Sequence, residues 1–259
     1  MQIIGTFVKG VSEASKNPFK FEAYHAAIRE PFDYYTWGND FMRPLVINDM
    51  SRAVGVERLK DIDEAIARGE NVLLLSNHQT EADPQVMSIL LEQHGFAHLA
   101  EKIIYIAGHK VTSDPVAIPF SMGRNLLCIH SKKHIKNPPE QFAQKQSQNL
   151  ESMQALGSLA AKGGNIFWVA PSGGRDRPDE SGKFVVAPFD LKALDMFKLM
   201  AMQSQKRMHF FPMAMYTHQL IPPPKAVSSD LGEVRSAKRG AVSISITEVM
   251  DGLGGLKDK

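Results

Sequence analysis

The sequence predicts an α/β fold in which a mixed sheet is flanked by helices and preceded by a small N-terminal helical region. Two observations support this prediction. From residue 71 onward, short apolar runs alternate with longer helical patterns, which is typical of α/β proteins. Before residue 71, the apolar residues follow helical spacing. The boundary falls near residues 50–58, so we predict a helical region over residues 1–55 and an α/β domain over residues 56–259.

The predicted elements follow the apolar periodicity and the glycine and proline punctuation. The first short helices are predicted over residues 9–16, 24–29 and 58–68. Strands are predicted over residues 72–75, 103–107, 126–129, 166–170, 209–216 and 242–246. Longer helices are predicted over residues 84–94, 140–162 and 189–205. The longest of them is expected to end at Gly163 and Gly164, since glycine readily adopts the left-handed conformation that closes a helix.

Composition and charge exclude several classes of protein. Apolar residues make up 43% of the 259 residues and charged residues 22%, so the chain can bury a sizeable core. Lys and Arg number 30 against 28 Asp and Glu, which argues against nucleic-acid binding. The apolar runs are too short to span a bilayer, and residues 1–20 lack the pattern of a secretory signal, so we expect a soluble protein. The one cysteine, Cys128, lies in a predicted strand and fits a reducing compartment.

The loop after the first predicted strand carries the sharpest chemical signal. His78 and Asp83 stand five residues apart, and Pro84 follows directly. We expect Asp83 to be the N-cap of the next helix and His78 to lie in the loop before it, so that the chain can fold back and bring carboxylate and imidazole together. A carboxylate on one ring nitrogen prepares the other nitrogen to act as a general base. Simple helix capping by Asp83 is the alternative, and a metal site that adds Glu81 is less favoured because no second histidine stands at ligand spacing.

Two further loops carry positive charge directly after predicted strands. One is the segment 131–134, which contains Lys132, Lys133 and His134, and the other is the segment 173–177, which contains Arg175 and Arg177. Glycines let a backbone approach an anion closely, and guanidinium groups offer forked donors to phosphate oxygens. We expect these loops to meet the His78 loop at one edge of the sheet, where α/β folds bind ligands. For the two lysines, a solvated charge run is the alternative.

Four ordered blocks resemble the soluble, plastid-type glycerol-3-phosphate acyltransferases, which belong to the H-x4-D glycerolipid acyltransferase family. The likeness covers roughly residues 56–248. The blocks are residues 74–84, residues 114–134, residues 169–178, and residues 211–215 with the prolines at 222–224. The H-x4-D pattern is moderately specific by itself. The Lys-Lys-His sequence and the Pro-Ser-Gly-Gly-Arg-Asp-Arg-Pro block make the resemblance specific to the plastid type.

This resemblance implies a reaction and a set of site residues. The reaction is acyl transfer from acyl-[acyl carrier protein] or acyl-CoA to the sn-1 hydroxyl of glycerol 3-phosphate, giving 1-acyl-glycerol 3-phosphate. His78 would be the base and Asp83 its partner. The substrate phosphate would be held by Lys133, His134, Arg175 and Arg177. No cofactor and no metal is implied, and the expected location is a bacterial cytoplasm or a plastid stroma. Only 77 residues precede His78, so the family's N-terminal helical domain is expected in shortened form.

Other functions are also compatible with these residues. A lysophosphatidate acyltransferase would use the same chemistry on an acylated acceptor, and a non-catalytic module of the same fold would only bind phosphate or an acyl carrier protein. A metal-dependent hydrolase using Glu81 is a third reading. Contact with a membrane surface and the acyl-chain preference are also open. Several basic residues are expected to form a solvated surface, with docking of an acidic carrier protein as the alternative; they are Lys102, Lys110, Lys225, Arg235, Lys238 and Arg239.

Overall fold

The computed structural model describes residues 2–131, 135–224 and 233–250. Within these ranges the strands are β1 (Tyr24–His25), β2 (Arg52–Val54), β3 (Asn71–Ser76), β4 (Ile103–Gly108), β5 (Asn125–Ile129), β6 (Ile166–Val169), β7 (Arg177–Pro178), β8 (Phe184–Val185), β9 (Met208–Tyr216) and β10 (Ser243–Ile246). The helices are α1 (Gln2–Lys16), α2 (Tyr34–Met42), α3 (Arg58–Ala67), α4 (Asp83–Gln93), α5 (Ala97–Lys102), α6 (Ile118–Ser121), α7 (Phe142–Lys162) and α8 (Leu191–Gln203). Short 3-10 helices occupy Arg43–Leu45, Asn48–Met50, His109–Thr112 and Pro139–Gln141.

Eight of these strands form one mixed sheet in the order β1-β5-β4-β6-β3-β9-β10-β2. The five strands from β5 to β9 in this order are parallel to their neighbours, while β1 and β10 are antiparallel to β5 and β9. Strands β7 and β8 form a separate two-stranded hairpin. Because parallel strands end at the same edge, the loops that follow β3, β5, β6 and β9 all leave the sheet on one side. The predicted mixed α/β sheet is therefore confirmed.

Both faces of the central strands are buried. Leu73 of β3 packs in a cluster with side chains of α7 and α8, whereas Leu74 packs in a second cluster with side chains of α3, α4 and α5. Neighbouring residues of a strand point to opposite faces, so this division shows helices on both sides of the sheet. Each fully buried leucine stabilises the fold by about 1.5–3 kcal/mol relative to an exposed one. The site loops therefore leave a rigid scaffold.

The six predicted strands and the three longer predicted helices are confirmed within a few residues at each end. The helix predicted over residues 24–29 is wrong, because Tyr24–His25 pairs with β5 as a short strand. His25 is buried there, and tertiary pairing overrides the local helical pattern. The first 55 residues also supply α1, α2 and β2. The domain boundary at residue 55 stays a prediction. Among the described residues, no helix combines the length and apolarity that a membrane span requires.

The end of α7 depends on a glycine. Gly163 follows the helix with a φ of 77°, and a Cβ at this position would lie 2.1 Å from the carbonyl oxygen of Gly69. The turn also fixes the start of β6, because the Asn165 side chain ties this strand to the end of α7: its Nδ2 donates to the carbonyl oxygens of Leu159, at 2.7 Å, and Gly163, at 3.1 Å. A side chain is thus excluded both by the backbone angle and by the space.

We predict that Gly163→Ala lowers the free energy of unfolding by about 1–3 kcal/mol, because the left-handed backbone and the Gly69 carbonyl both oppose a Cβ. Urea unfolding followed by circular dichroism measures the change. The matched control is Gly157→Ala in the exposed face of α7, where a Cβ would meet nothing within 4 Å. That change should be neutral or stabilising by up to about 1 kcal/mol. Equal effects of the two substitutions would contradict the prediction.

Candidate functional site

His78 and Asp83 are in direct contact at the edge where β3 ends. His78 Nδ1 lies 2.7 Å from Asp83 Oδ2. The Asp83 side chain is 1% exposed, whereas His78 is 27% exposed and faces outward. The rings of His78 and of Trp168 in β6 are nearly perpendicular, with centroids 5.8 Å apart. Because Nδ1 is engaged by the carboxylate, Nε2 is the ring nitrogen available to take a proton from another molecule.

The carboxylate of Asp83 is held by three groups. Besides His78, its Oδ2 accepts a hydrogen bond from the Gln79 amide at 2.9 Å, and its Oδ1 accepts one from the Thr217 hydroxyl at 2.5 Å. Asp83 is the first residue of α4, and the N-cap is Ala82. The expectation that Asp83 is the N-cap is thus wrong by one residue. Its carboxylate is used to hold His78 and the loop in place, which fixes the orientation of the imidazole.

A second buried carboxylate joins the His78 loop to the loop after β6. Asp176 is fully buried, and its Oδ2 accepts hydrogen bonds from Asn77 Nδ2 at 2.8 Å and from Gln79 Nε2 at 3.2 Å. Its Oδ1 accepts one from the Ala187 amide at 2.9 Å. The Asp176 amide itself donates to the carbonyl oxygen of His78 at 2.6 Å. Three of these four bonds reach the His78 loop, and they place Arg175 and Arg177, the neighbours of Asp176, directly beside it.

Arg175 lies among carboxylates at this position. Its side chain is 10% exposed, and one terminal nitrogen donates to both Oε1 and Oε2 of Glu233, at 2.7 and 2.8 Å. Its other terminal nitrogen is 3.6 Å from Oε1 of Glu81, which belongs to the H-x4-D loop. Lys110 Nζ approaches the same Glu233 carboxylate at 3.3 Å. Burial raises the pKa of Glu233, but the bonds and charges of Arg175 and Lys110 outweigh burial, so the pKa lies below its ordinary value.

Arg177 is arranged differently from Arg175. Its guanidinium donates to the carbonyl oxygens of Pro224, at 3.2 Å, and Arg175, at 2.9 Å. In the part of the chain that the structure describes, it makes no ion pair with a carboxylate. Burial, together with the positive charge of Arg175, lowers the pKa of Arg177. An arginine keeps its charge under such a shift, so Arg177 remains a cation with free donor capacity. Lys133 and His134, the other two residues predicted to hold phosphate, lie outside the described residues.

Four residues of the candidate site were missed or misread at the level of sequence. Thr217 follows β9 directly. A polar residue at the end of a parallel strand was the sequence signal that could have placed it at the site. Asp176 stands between the two arginines, and its burial could not be read from the motif. Arg235 was predicted to be solvated, but it is half-buried and donates to Glu81 and to Asp114 Oδ2, the latter at 2.7 Å. Glu233 gave no sequence signal at all.

The structure also bears on two other chemistries, a thiol nucleophile and a metal site. Burial raises the pKa of the Cys128 thiol to about 12, so the thiol stays protonated at neutral pH and is a poor nucleophile. Within the described ranges, no group of three His, Cys, Asp or Glu side chains has the arrangement of a metal site. Glu81 instead pairs with Arg235, whose Nε lies 2.5 Å from Glu81 Oε2. What the site offers is a positioned imidazole next to buried cations.

The sequence model of a family described as Acyltransferase matches residues 58–247 of the chain. Curated relatives include glycerol-3-phosphate acyltransferase ATS12, chloroplastic, of Cucurbita moschata, which is 42% identical over 232 residues, covering 89% of this chain and 50% of the relative. The chloroplastic glycerol-3-phosphate acyltransferase of Spinacia oleracea is 42% identical over the same share of this chain and 49% of its own length. That of Carthamus tinctorius is 44% identical, covering 84% and 47%. The chain therefore spans about half the length of the curated relatives it matches.

We predict that Asp176→Asn destabilises the protein by about 1–3 kcal/mol, because the new amide would face groups that all donate hydrogen bonds. Urea unfolding measures the loss. Asp195→Asn, at an exposed carboxylate on α8, is the control and should change stability by less than about 0.5 kcal/mol. A variant at position 176 as stable as the unmodified protein would show that this carboxylate does not join the two loops.

Proposed function

The chain belongs to the acyltransferase family, and from this premise we propose that it transfers an acyl group from a thioester to the sn-1 hydroxyl of glycerol 3-phosphate. The product is 1-acyl-glycerol 3-phosphate. The observation that carries the proposal is the contact of 2.7 Å between His78 and Asp83 beside the arginine-bearing loop. The printed names of the relatives, glycerol-3-phosphate acyltransferases, support the choice of acceptor.

In the proposed mechanism, His78 acts as the general base. Its Nε2 takes the proton of the sn-1 hydroxyl while that oxygen attacks the carbonyl carbon of the thioester. Asp83 stabilises the imidazolium that forms, and the bonds from Gln79 and Thr217 keep its carboxylate in place. The carbon–sulfur bond then breaks, and the imidazolium returns the proton to the leaving thiolate. The acceptor brings its own nucleophile, so no acyl-enzyme forms and the kinetics are sequential.

The phosphate of the acceptor is assigned to the cations beside His78. Arg175 and Arg177 flank Asp176, whose amide is bonded to the His78 carbonyl at 2.6 Å, so a bound phosphate lies within a small molecule's reach of the imidazole. Lys133 and His134 complete the predicted phosphate set. Holding the hydroxyl at the base by means of the phosphate converts binding energy into correct orientation, which supplies much of the rate in such reactions.

The acyl donor and the compartment belong to the same proposal. The donor is acyl-[acyl carrier protein] or acyl-CoA, and no cofactor takes part. Relatives named as chloroplastic favour a plastid stroma over a bacterial cytoplasm. An assay with each donor and with two acceptors, glycerol 3-phosphate and 1-acyl-glycerol 3-phosphate, tests the assignment. Preference for the acylated acceptor would indicate a lysophosphatidate acyltransferase, and binding without turnover would indicate a non-catalytic module.

We predict that His78→Ala lowers kcat for acyl transfer about 10²–10⁴-fold, because the hydroxyl loses its base. Binding of glycerol 3-phosphate, measured by calorimetry, should stay within about threefold, since the phosphate contacts are made elsewhere. The matched control is His98→Ala, which removes a second histidine paired with an aspartate, Asp63, at 3.0 Å on an exposed surface. The control should keep full activity. Near-normal turnover of the His78 variant would refute the assignment of the base.

We predict that Arg177→Ala raises the KM for glycerol 3-phosphate about tenfold to a hundredfold and lowers kcat much less, because a charge-assisted bond to the phosphate is lost. Arg177 suits the test better than Arg175, since its removal leaves no carboxylate without its partner. Steady-state kinetics with varied acceptor gives both constants. Arg68→Ala is the control, because Arg68 precedes the start of β3, whereas His78 follows the end of the same strand. An unchanged KM would exclude Arg177 from the phosphate site.

A further inference from the structure

Glu233 is bound to the Arg175 guanidinium, which the proposed function assigns to the substrate phosphate. Both of its carboxylate oxygens accept from Arg175, and Lys110 adds a contact at 3.3 Å. The Glu233 side chain is only 4% exposed, so this is a buried ion pair and not a surface contact. We propose that Glu233 determines the specificity of the acceptor site, by competing with the acceptor's phosphate for Arg175 so that only a dianion displaces it. This inference rests on the proposed role of Arg175.

The geometry at Arg175 favours a phosphate over the carboxylate that is there. Glu233 engages a single terminal nitrogen of the guanidinium, through both of its oxygens. The other terminal nitrogen is buried and has no hydrogen-bond partner among the described residues, since Glu81 stands 3.6 Å away. A buried donor without a partner carries a desolvation cost. A phosphate offers three acceptor oxygens and can satisfy both nitrogens together, which the carboxylate does not do.

The balance of charge around Arg175 explains the preference for a dianion. Three cations, Lys110, Arg175 and Arg235, are interleaved with three carboxylates, Glu81, Asp114 and Glu233. A monoanionic acceptor that displaces Glu233 replaces one negative charge by another and gains little. A phosphate dianion brings one more negative charge than the Glu233 carboxylate. Because the site also contains the cation Arg177, displacement of Glu233 by the dianion becomes favourable.

Arg235 keeps the backbone of Glu233 in place during such an exchange. It pairs with Glu81 at 2.5 and 3.0 Å and with Asp114 at 2.7 Å. The same guanidinium donates to the carbonyl oxygen of Glu233 at 3.0 Å. The displacement therefore requires only a rotation of the Glu233 side chain, while the segment that carries it stays anchored by Arg235.

The test replaces the carboxylate by a neutral group of the same shape. We expect Glu233→Gln to lower the KM for glycerol 3-phosphate about tenfold with kcat within about twofold, and to tighten the binding of inorganic phosphate by about the same factor. Glycerate, a monocarboxylate of similar size, should become an effective competitor only in this variant. Glu233→Ala should move all three readouts in the same direction. The control is Glu248→Gln, at an exposed carboxylate paired with Arg58 at 2.7 Å, which should change none of them.

The outcomes separate this inference from the proposed function. If the unmodified protein acylates glycerol 3-phosphate but Glu233→Gln raises the KM or weakens phosphate binding, Glu233 positions Arg175 and the inference is overturned. If the unmodified protein acylates no glycerol 3-phosphate while Glu233→Gln still binds inorganic phosphate more tightly, the proposed function falls and the competition by Glu233 stands. Calorimetry with inorganic phosphate provides this readout without any turnover.

Discussion

The buried carboxylate of Asp176 is the interaction on which the candidate site depends. It receives hydrogen bonds from Asn77 and Gln79 on one loop and from Ala187 beyond the other. The sheet alone brings the ends of β3 and β6 to the same edge, but it leaves the loops after them free to move apart. Asp176 removes that freedom, and two of its donors, Asn77 and Gln79, are themselves buried, so His78 and the two arginines keep a fixed separation.

Asp83 and Asp176 are both carboxylates buried within one loop cluster, and the groups around them differ in kind. Burying an ionised group is costly unless hydrogen bonds replace the lost water. Asp176 is satisfied by neutral donors only, which suits a fixed structural role. Asp83 accepts hydrogen bonds from Gln79 and Thr217. Its remaining partner is His78, the one group in the set that can gain a charge. The same residue type thus anchors one loop and, in the proposed mechanism, serves the other as the partner of a base.

Much of the scaffold could be predicted from sequence, because its signals are local. Buried strands such as β3 and β6 are short apolar runs between loops, and α7 ends at glycines that permit a positive φ. The contact between His78 and Asp83 was also accessible, since only five residues separate them. The pairing of Tyr24–His25 with β5 was not accessible, because it joins segments about a hundred residues apart. The partners of Arg175 were hidden for the same reason: Glu233 reaches it from 58 residues further along the chain.

The carboxylates around Arg175 and Arg235 follow from a physical limit on buried cations. A guanidinium that is nine-tenths buried with no counter-charge would destabilise the folded chain, so a site that gathers several cations must also supply anions. Glu233 meets this need at Arg175, and Glu81 with Asp114 meets it at Arg235. If Arg175 holds the substrate phosphate as proposed, the substrate must outcompete an internal carboxylate. Such a competition would weaken binding, and it would also remove affinity for ligands that carry too little charge. Under this proposal, the carboxylates that stabilise the buried cations would also give the site its selectivity.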